Sequence, residues 1–279
     1  MQTANPSPTP PAAKRTLPAD QLARAKADFA EKGYAIFPDV VSKEKLTQLH
    51  ARLQAEFERM KSDGKLFEGG GNLTGHLNCF PGEESRFVYD ELVDKGIIDA
   101  IREIFPKASG LPNVGLNFNL PKSIAQHYHA DRPFTQEFII CNIGVVDTEI
   151  ANGAIDVLPG SHQKFYPFWK FVMERVPSRT TRLPMKQGDV LIRSSNLWHR
   201  GMPNLTAAPR PMMALTWEDG GSVEPDPWKV FGGKITFRPN WYNPNFLGRL
   251  RERTFIAAPI TYDAFRFVRS LYKNKGYDS

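Results

Sequence analysis

Residues 127–131, HYHAD, place two histidines and an aspartate within five positions of a chain that has six histidines in all. Imidazole nitrogens and carboxylate oxygens together suit a divalent metal, so the stretch is one half of a candidate site. If SIAQHYHAD is a strand, alternate side chains share a face, and His127, His129 and Asp131 point the same way. His129 and Asp131 are then roughly 6.6 Å apart along the strand and can grip one ion between them, whereas His127 and Asp131 are roughly 13 Å apart. Geometry selects His129 and Asp131. A third donor has to come from elsewhere, and His199 lies 68 residues further on, ending the strand-like run GDVLIRSSNLWH. Two histidines and one carboxylate on one side of an ion make the facial triad of non-haem Fe(II) oxygenases, which leaves positions open for a cosubstrate and oxygen.

His-x-Asp alone recurs by chance in many chains. Arg210 adds to it: it stands 11 residues past His199, across GMPNLTAAP, whose proline and asparagine suit a chain reversal. The reversal brings Arg210 to the start of the next strand, PMMALTWE, on the metal side. A planar guanidinium binds a carboxylate through two parallel hydrogen bonds, as the far end of an iron-chelating 2-oxo acid requires.

The sequence resembles the phytanoyl-CoA dioxygenase family of iron- and 2-oxoglutarate-dependent oxygenases. The matching stretches are KGYAIFPDVVSKEKLTQL, QHYHAD, NGAIDVLPGSH and WHRGMPNLTAAPRPMMAL, in the family's order over about residues 29–218. The resemblance implies a double-stranded β-helix, a cupin-like jelly roll, preceded by helices. It implies Fe(II), 2-oxoglutarate and O2 as cofactor and cosubstrates, with His129, Asp131 and His199 as iron ligands and Arg210 as the anchor of the distal carboxylate. Gln126 and Asn142 match positions that contact the cosubstrate. Asp131 favours hydroxylation, because halogenating members tend to lack that carboxylate. Arg193 and Arg200 compete with Arg210 for the anion, but neither has the family spacing. Strand alternation also turns Arg200 away from an ion held by its neighbour.

The elements that must position these residues are legible in part. ADQLARAKADFAEKG reads as a helix ending at Gly33, GYAIFPDVV as a strand, and SKEKLTQLHARLQAEFERMKSDG as a helix with Ser42 at its N-cap and Leu46, Leu49, Leu53 and Phe57 on one face. ELVDKGIIDAIREIF predicts a third helix. From residue 112 onward NVGLNFNLP, SIAQHYHAD, EFIICNIGVV, GAIDVLP, GDVLIRSS and PMMALTWE are short β-rich runs between Pro, Gly, Asn and Asp punctuation, the pattern of a sandwich or jelly roll. QKFYPFWKFVMERV reads as an inserted helix or lid. The glycine-rich stretch 68–82 lacks the Gly-Lys-Ser/Thr ending of a phosphate loop and reads as a loop, over the site mouth or plainly on the surface, with His76 and Asn78 as candidate substrate contacts. His50 is a packing or solvated residue, His162 structural or rim-lining, and His127 a pocket wall or a bystander.

Composition sets outer bounds. Hydrophobic content of 41% is ordinary for a protein with a real core. Cys79 and Cys141 form no Cys-x-x-Cys pair and read as free thiols in a reducing cytoplasm. Residues 1–18 read as a disordered tail without the apolar stretch of a signal peptide, and 19–279 as a single oxygenase domain. No run approaches the roughly 18 apolar residues of a membrane span. The net charge of +6 resides in the segment from Phe231 to Ser279, which carries nine Lys/Arg and three Asp/Glu. That argues against a nucleic-acid coat and for a small-molecule substrate; a peripheral membrane contact through this segment is the lesser expectation. Within it, TYDAFRFVRSLYK puts Phe265, Val268, Leu271 and Tyr272 on one helical face and Arg266, Arg269 and Lys273 largely on another. Packing of the apolar face on the barrel, with the charges in water, is the expected arrangement. The leading functional expectation is an Fe(II)/2-oxoglutarate dioxygenase acting on a small molecule. The alternative is a non-oxidative cupin-like protein that binds a metal or a sugar acid.

Overall fold

Alternation along the strands decides the architecture. In this computed structural model, residues 16–64, 74–238 and 245–272 are described; most of the expected N-terminal tail lies outside them. The strands are β1 (Tyr34–Phe37), β2 (His76–Phe80), β3 (Asn113–Asn119), β4 (Ile139–Gly144), β5 (Ile155–Val157), β6 (Thr181–Leu183), β7 (Val190–Ser194), β8 (His199–Arg200), β9 (Arg210–Trp217) and β10 (Thr236–Arg238). They form two antiparallel sheets, one ordered β1-β7-β4-β9-β3-β2-β10 and the other β6-β5-β8. This is the jelly-roll arrangement of a sheet-rich fold flanked by helices.

One face of the large sheet carries Leu116, Phe118, Cys141, Ile192 and Leu215, packed in a single apolar cluster with Leu46, Leu49 and Leu53. Those three leucines belong to helix α2 (Lys43–Ser62), whose first turn is capped by the Ser42 hydroxyl accepting from the Lys45 amide. Both cysteines are free and buried in this layer. Because side chains alternate, the other face of the same strands must carry the intervening residues. Cross-strand register sets His76, Asn119 and Arg210 in one row and Thr216, Ile140 and Arg193 in another. That inner face is unusually polar, and it is where the site lies.

The expected third helix is two: α3 (Arg86–Asp94) and α4 (Ile97–Ile104), separated where Gly96 turns left-handed at φ 73°. The segment 123–131 is no regular strand. It pairs only through a bridge between His129 and His199. His199 does not end the β7 run either; the chain leaves β7 at Ser194 and crosses to the small sheet before His199 opens β8. The end of the glycine-rich stretch is not a loop but strand β2, while residues 65–73 lie outside those described. The expected lid is a short helix, α5 (Phe168–Met173).

The C-terminal segment forms α6 (Phe246–Ala257) and α7 (Pro259–Tyr272). Here the expected packing fails for the apolar face and for Arg266, while Arg269 is exposed as expected and Lys273 lies outside the described residues. Phe265, Val268 and Leu271 are each more than half exposed, while Arg266 is 1% exposed. The reason is that the inner face of α7 borders a cavity and the aromatic cluster of Phe168, Phe171 and Trp198. The Arg266 guanidinium lies 4.1 Å from the Phe168 ring centroid, and the Ser270 hydroxyl accepts the Trp169 amide at 2.9 Å.

Helix α1 (Ala19–Lys32) stops at Gly33, left-handed at φ 85°, whose amide closes on the Phe29 carbonyl and whose carbonyl accepts from Ser194 of β7. A Cβ there would sit 2.6 Å from Nδ1 of His162, which packs edge-on to Phe29 and has the structural role expected of it. Left-handed backbone costs a non-glycine residue roughly 1–2 kcal/mol before any clash. Gly33→Val is therefore expected to destabilise the protein by about 2 kcal/mol or more, measured by urea unfolding, whereas Gly64→Ala at an open turn should cost distinctly less.

Candidate metal centre

Antiparallel pairing brings the donors together. His129 and His199 exchange both backbone hydrogen bonds at 2.9 Å, so they stand directly opposite and their side chains leave the backbone on the same side. Asp131, two residues on, returns to that side, and its amide donates to the Ser195 carbonyl at the turn between β7 and β8. The turn thus sets Asp131 and His199 from its two ends.

Nε2 of His199 lies 3.5 Å and Nε2 of His129 lies 3.9 Å from Oδ1 of Asp131. All three donor atoms fall within 4.8 Å of one another. Donors about 2.1 Å from one ion at right angles to each other stand roughly 3 Å apart, so only a slight contraction is needed. Each imidazole turns Nδ1 to a backbone carbonyl, His129 to His127 at 2.8 Å and His199 to Leu197 at 2.9 Å. A carbonyl can only accept, so Nδ1 carries the proton and Nε2 presents a lone pair to the common point. Burial, reinforced by Arg193, pushes the His199 pKa down to about 3; burial lowers that of His129 as well. Both rings are neutral at physiological pH. The three residues fit a divalent ion.

Arg193, weighed from the sequence only as a rival anion anchor and as a strand arginine more often solvated than not, has a different place. It is 6% exposed, not solvated, and NH1 donates to Oδ2 of Asp131 at 2.7 Å. Burial alone would raise the Asp131 pKa, but the guanidinium and the two imidazoles outweigh it and hold the carboxyl well below the usual range. One oxygen faces the histidines and the other is held by Arg193. Asn142 accepts from Nε of Arg193 at 3.1 Å, so it orients the guanidinium. A charged residue inside VLIRS, a run buried on both faces, was the available signal: such a charge has to be paired.

Arg200 is committed elsewhere, with Nε 3.1 Å from the buried Asp156 carboxylate and its guanidinium 4.0 Å over the Tyr128 ring. Tyr128 donates to the same carboxylate at 2.6 Å, and burial together with Asp156 pushes its pKa up to about 12. Arg210 differs from both. It is 4% exposed, donates to the carbonyls of Gly153 (3.0 Å) and Asn152 (3.4 Å), and has no carboxylate partner among the described residues. Burial lowers its pKa to about 10, which leaves it charged at neutral pH.

A cavity of about 1660 Å³ opens from the donors outward, larger than the roughly 300–1,000 Å³ of most small-molecule pockets. Its sheet side includes His76, Asn78, Asn117 and Gln126, and its outer side is made by α6 and α7. Gln126 accepts the Gly201 amide at 2.8 Å, and His76 is tied to the Ile124 carbonyl at 2.9 Å. Burial lowers the pKa of His76, and the charge of Arg210 adds to the effect. Asn142 and Arg210 are not on the cavity lining. His127 faces the cavity but turns away from the donors, its Nδ1 3.3 Å from Asp263 of α7 and its ring 4.5 Å from Tyr262.

Residues 29–212 match the family model described as phytanoyl-CoA dioxygenase (PhyH). Among solved structures, the fold is similar to the non-heme alpha ketoglutarate dependent carbocyclase SnoK from nogalamycin biosynthesis (TM-score 0.55, 16% identity, 79% of this chain and 87% of that one). It is also similar to HygX from Streptomyces hygroscopicus with nickel and 2-oxoglutarate bound (0.52, 16%, 72% and 87%). A third is EctD from S. alaskensis with bound Fe (0.53, 17%, 74% and 80%).

The pairing of Arg193 with Asp131 predicts its own consequence. Arg193→Met should weaken Ni(II) binding about ten- to a hundredfold, since a carboxylate that loses its orienting partner no longer meets the ion in place. Isothermal titration calorimetry at neutral pH reads this directly; unchanged affinity would mean that Asp131 is held by its backbone alone.

Proposed function

The chain belongs to the phytanoyl-CoA dioxygenase family, and from that premise we propose that His129, Asp131 and His199 are the iron ligands and Arg210 the anchor for the far carboxylate of 2-oxoglutarate. The protein is an Fe(II)- and 2-oxoglutarate-dependent oxygenase; a non-oxidative cupin-like binder is not favoured. Bound iron supplies, with O2 and 2-oxoglutarate, the power to oxidise an unactivated C–H bond while 2-oxoglutarate is converted to succinate.

The observation that carries the residue assignment is the division of labour among three arginines. Arg193 is neutralised by Asp131 and Arg200 by Asp156. Arg210 alone of the three has only neutral carbonyls for partners. A buried guanidinium without a counter-charge is costly, and a carboxylate arriving from the metal side would relieve that cost. In this reading Asp131 and the two neutral imidazoles present three donors on one side of the ion, leaving the cavity side for cosubstrate and oxygen. Gln126 and His76 line the path beside Arg210, Asn142 acts through Arg193, and Asn78 faces the substrate. The retained carboxylate favours hydroxylation of a small molecule over halogenation. Residues 19–279 act as one catalytic unit, since the cavity takes its walls from both the HYHAD segment and the C-terminal helices. No helix among the described residues is long and apolar enough to cross a membrane.

Two substitutions separate the roles. Asp131→Ala should abolish conversion of 2-oxoglutarate to succinate while the circular dichroism spectrum stays that of the parent; near-normal succinate formation would remove Asp131 from the metal. Arg210→Gln should weaken 2-oxoglutarate binding about ten- to a hundredfold, the loss of roughly 1.5–3 kcal/mol of charge-assisted contact, with metal affinity little changed. A large loss in Arg200→Gln with none in Arg210→Gln would transfer the role to Arg200.

A further inference from the structure

The C-terminal helices do something the oxygenase reading does not require. Each turns one stripe of side chains into the cavity. At α6 the stripe is the N-cap Asn245 with Gly248, Arg251 and Phe255, and on α7 it is Tyr262, Phe265, Arg266 and Arg269, at the three- and four-residue spacing of a single helical face. Arg175, beyond α5, joins them on the cavity wall. With Arg200, five arginines line this space against two carboxylates, Asp131 and Asp263. Both carboxylates are engaged, Asp131 by Arg193 and Asp263 by His127.

Arg200 has its own carboxylate partner in Asp156. Arg175, Arg251 and Arg269 have none among the described residues. The charge is also placed against the ordinary preference of the helix. Arg266 is buried, and α7 leaves Phe265, Val268, Leu271 and Tyr272 at 51–79% exposure, while Arg269, like Arg175 and Arg251, lines the cavity with access to solvent. Burying those apolar side chains would be the default for an amphipathic helix. The cavity walls between the arginines and the metal donors are apolar and aromatic: Phe168, Phe171, Phe255 and Tyr262.

Building on the oxygenase reading, we propose that Arg175, Arg251 and Arg269 form an anion-recognition site for the substrate's far end. The substrate class is then a soluble small molecule with an apolar or aromatic body and a terminal phosphate or carboxylate. Its head is held by the arginines at the helical side of the cavity, while its body lies along the aromatic wall and presents a C–H bond to the metal side. Arg251 and Arg269 of the two helices and Arg175 beyond α5 line, from its solvent-accessible side, a cavity too large for 2-oxoglutarate alone, and Arg210 of β9 is not on that lining. They select the substrate; they take no part in the oxidation.

The test uses the full chain loaded with Ni(II) and 2-oxoglutarate, which cannot turn over, titrated calorimetrically with 2-naphthyl phosphate, 2-naphthoate and 2-naphthol. At least one of the two anions should bind about tenfold or more tighter than the neutral naphthol. The double variant Arg251→Gln, Arg269→Gln should lose that preference, and the double variant Arg251→Lys, Arg269→Lys should keep part of it, with the affinity for 2-oxoglutarate unchanged in both. Equal binding of naphthol and both anions to the parent protein, or an undiminished preference in the Gln double variant, would overturn the proposal. Failure of 2-oxoglutarate itself to bind the Ni(II)-loaded parent would instead strike the oxygenase assignment of the site.

Discussion

The buried pair of Asp131 and Arg193 is the constraint around which the molecule is arranged. A carboxylate enclosed between two sheets is costly unless charge of opposite sign surrounds it. Here that charge is the guanidinium, which takes one of its oxygens at 2.7 Å, while the other oxygen faces the Nε2 atoms of two neutral imidazoles. Arg193 stands on the inner face of a central strand, held by Asn142 from the neighbouring one. Asp131 and His199 hang from opposite ends of the same turn, and His129 is fixed opposite His199 by a reciprocal backbone bridge. The large sheet therefore contributes the counter-charge, and the small sheet and its approach contribute the donors. Removing one partner of such a pair costs roughly 3–5 kcal/mol, which ties the stability of the sandwich to the residues that meet around Asp131.

Much of this was legible in residue types and spacing. Strand alternation in HYHAD singled out His129 and Asp131 over His127, and the structure turns His127 to Asp263 instead. The strand expected there is absent: residues 123–131 form one bridge, and it is the facing of His129 and His199 across that bridge, with Asp131 two residues on, that brings the three donors together. The α2 stripe of leucines, its Ser42 cap and the strands from β3 to β9 followed from periodicity and punctuation. The break at Gly96 was missed because an apolar helical pattern runs through it on both sides, and a single left-handed glycine re-aims the chain without altering that pattern.

What the sequence concealed is long-range and electrostatic. A charged residue on a strand is most often solvated, and only the register with Ile140 places Arg193 inside. The polarity of α7 is the sharper case. Its amphipathic pattern is plain in TYDAFRFVRSLYK, but periodicity says which residues share a face, not which face turns inward. That choice is made by what lies beneath, and beneath α7 are a cavity and the aromatic cluster of Phe168, Phe171 and Trp198, on which Arg266 and Phe267 pack. For His76, named from the sequence as a candidate contact, only the element was hidden: a glycine-rich approach suggested a loop, while alternation with Leu77 and Cys79 makes it a wall residue of the inner face, in the row of Asn119 and Arg210.

The central claim is that His129, Asp131 and His199 hold iron with adjacent positions open to a 2-oxo acid. The most direct measurement is an anaerobic titration of the iron-free protein with Fe(II) and then 2-oxoglutarate, followed by visible absorbance. The account predicts a weak charge-transfer band that appears only when both are present and saturates at one 2-oxoglutarate per iron, as bidentate chelation of an open-sided site requires. Iron that binds to this site yet gives no band at saturating 2-oxoglutarate would contradict it.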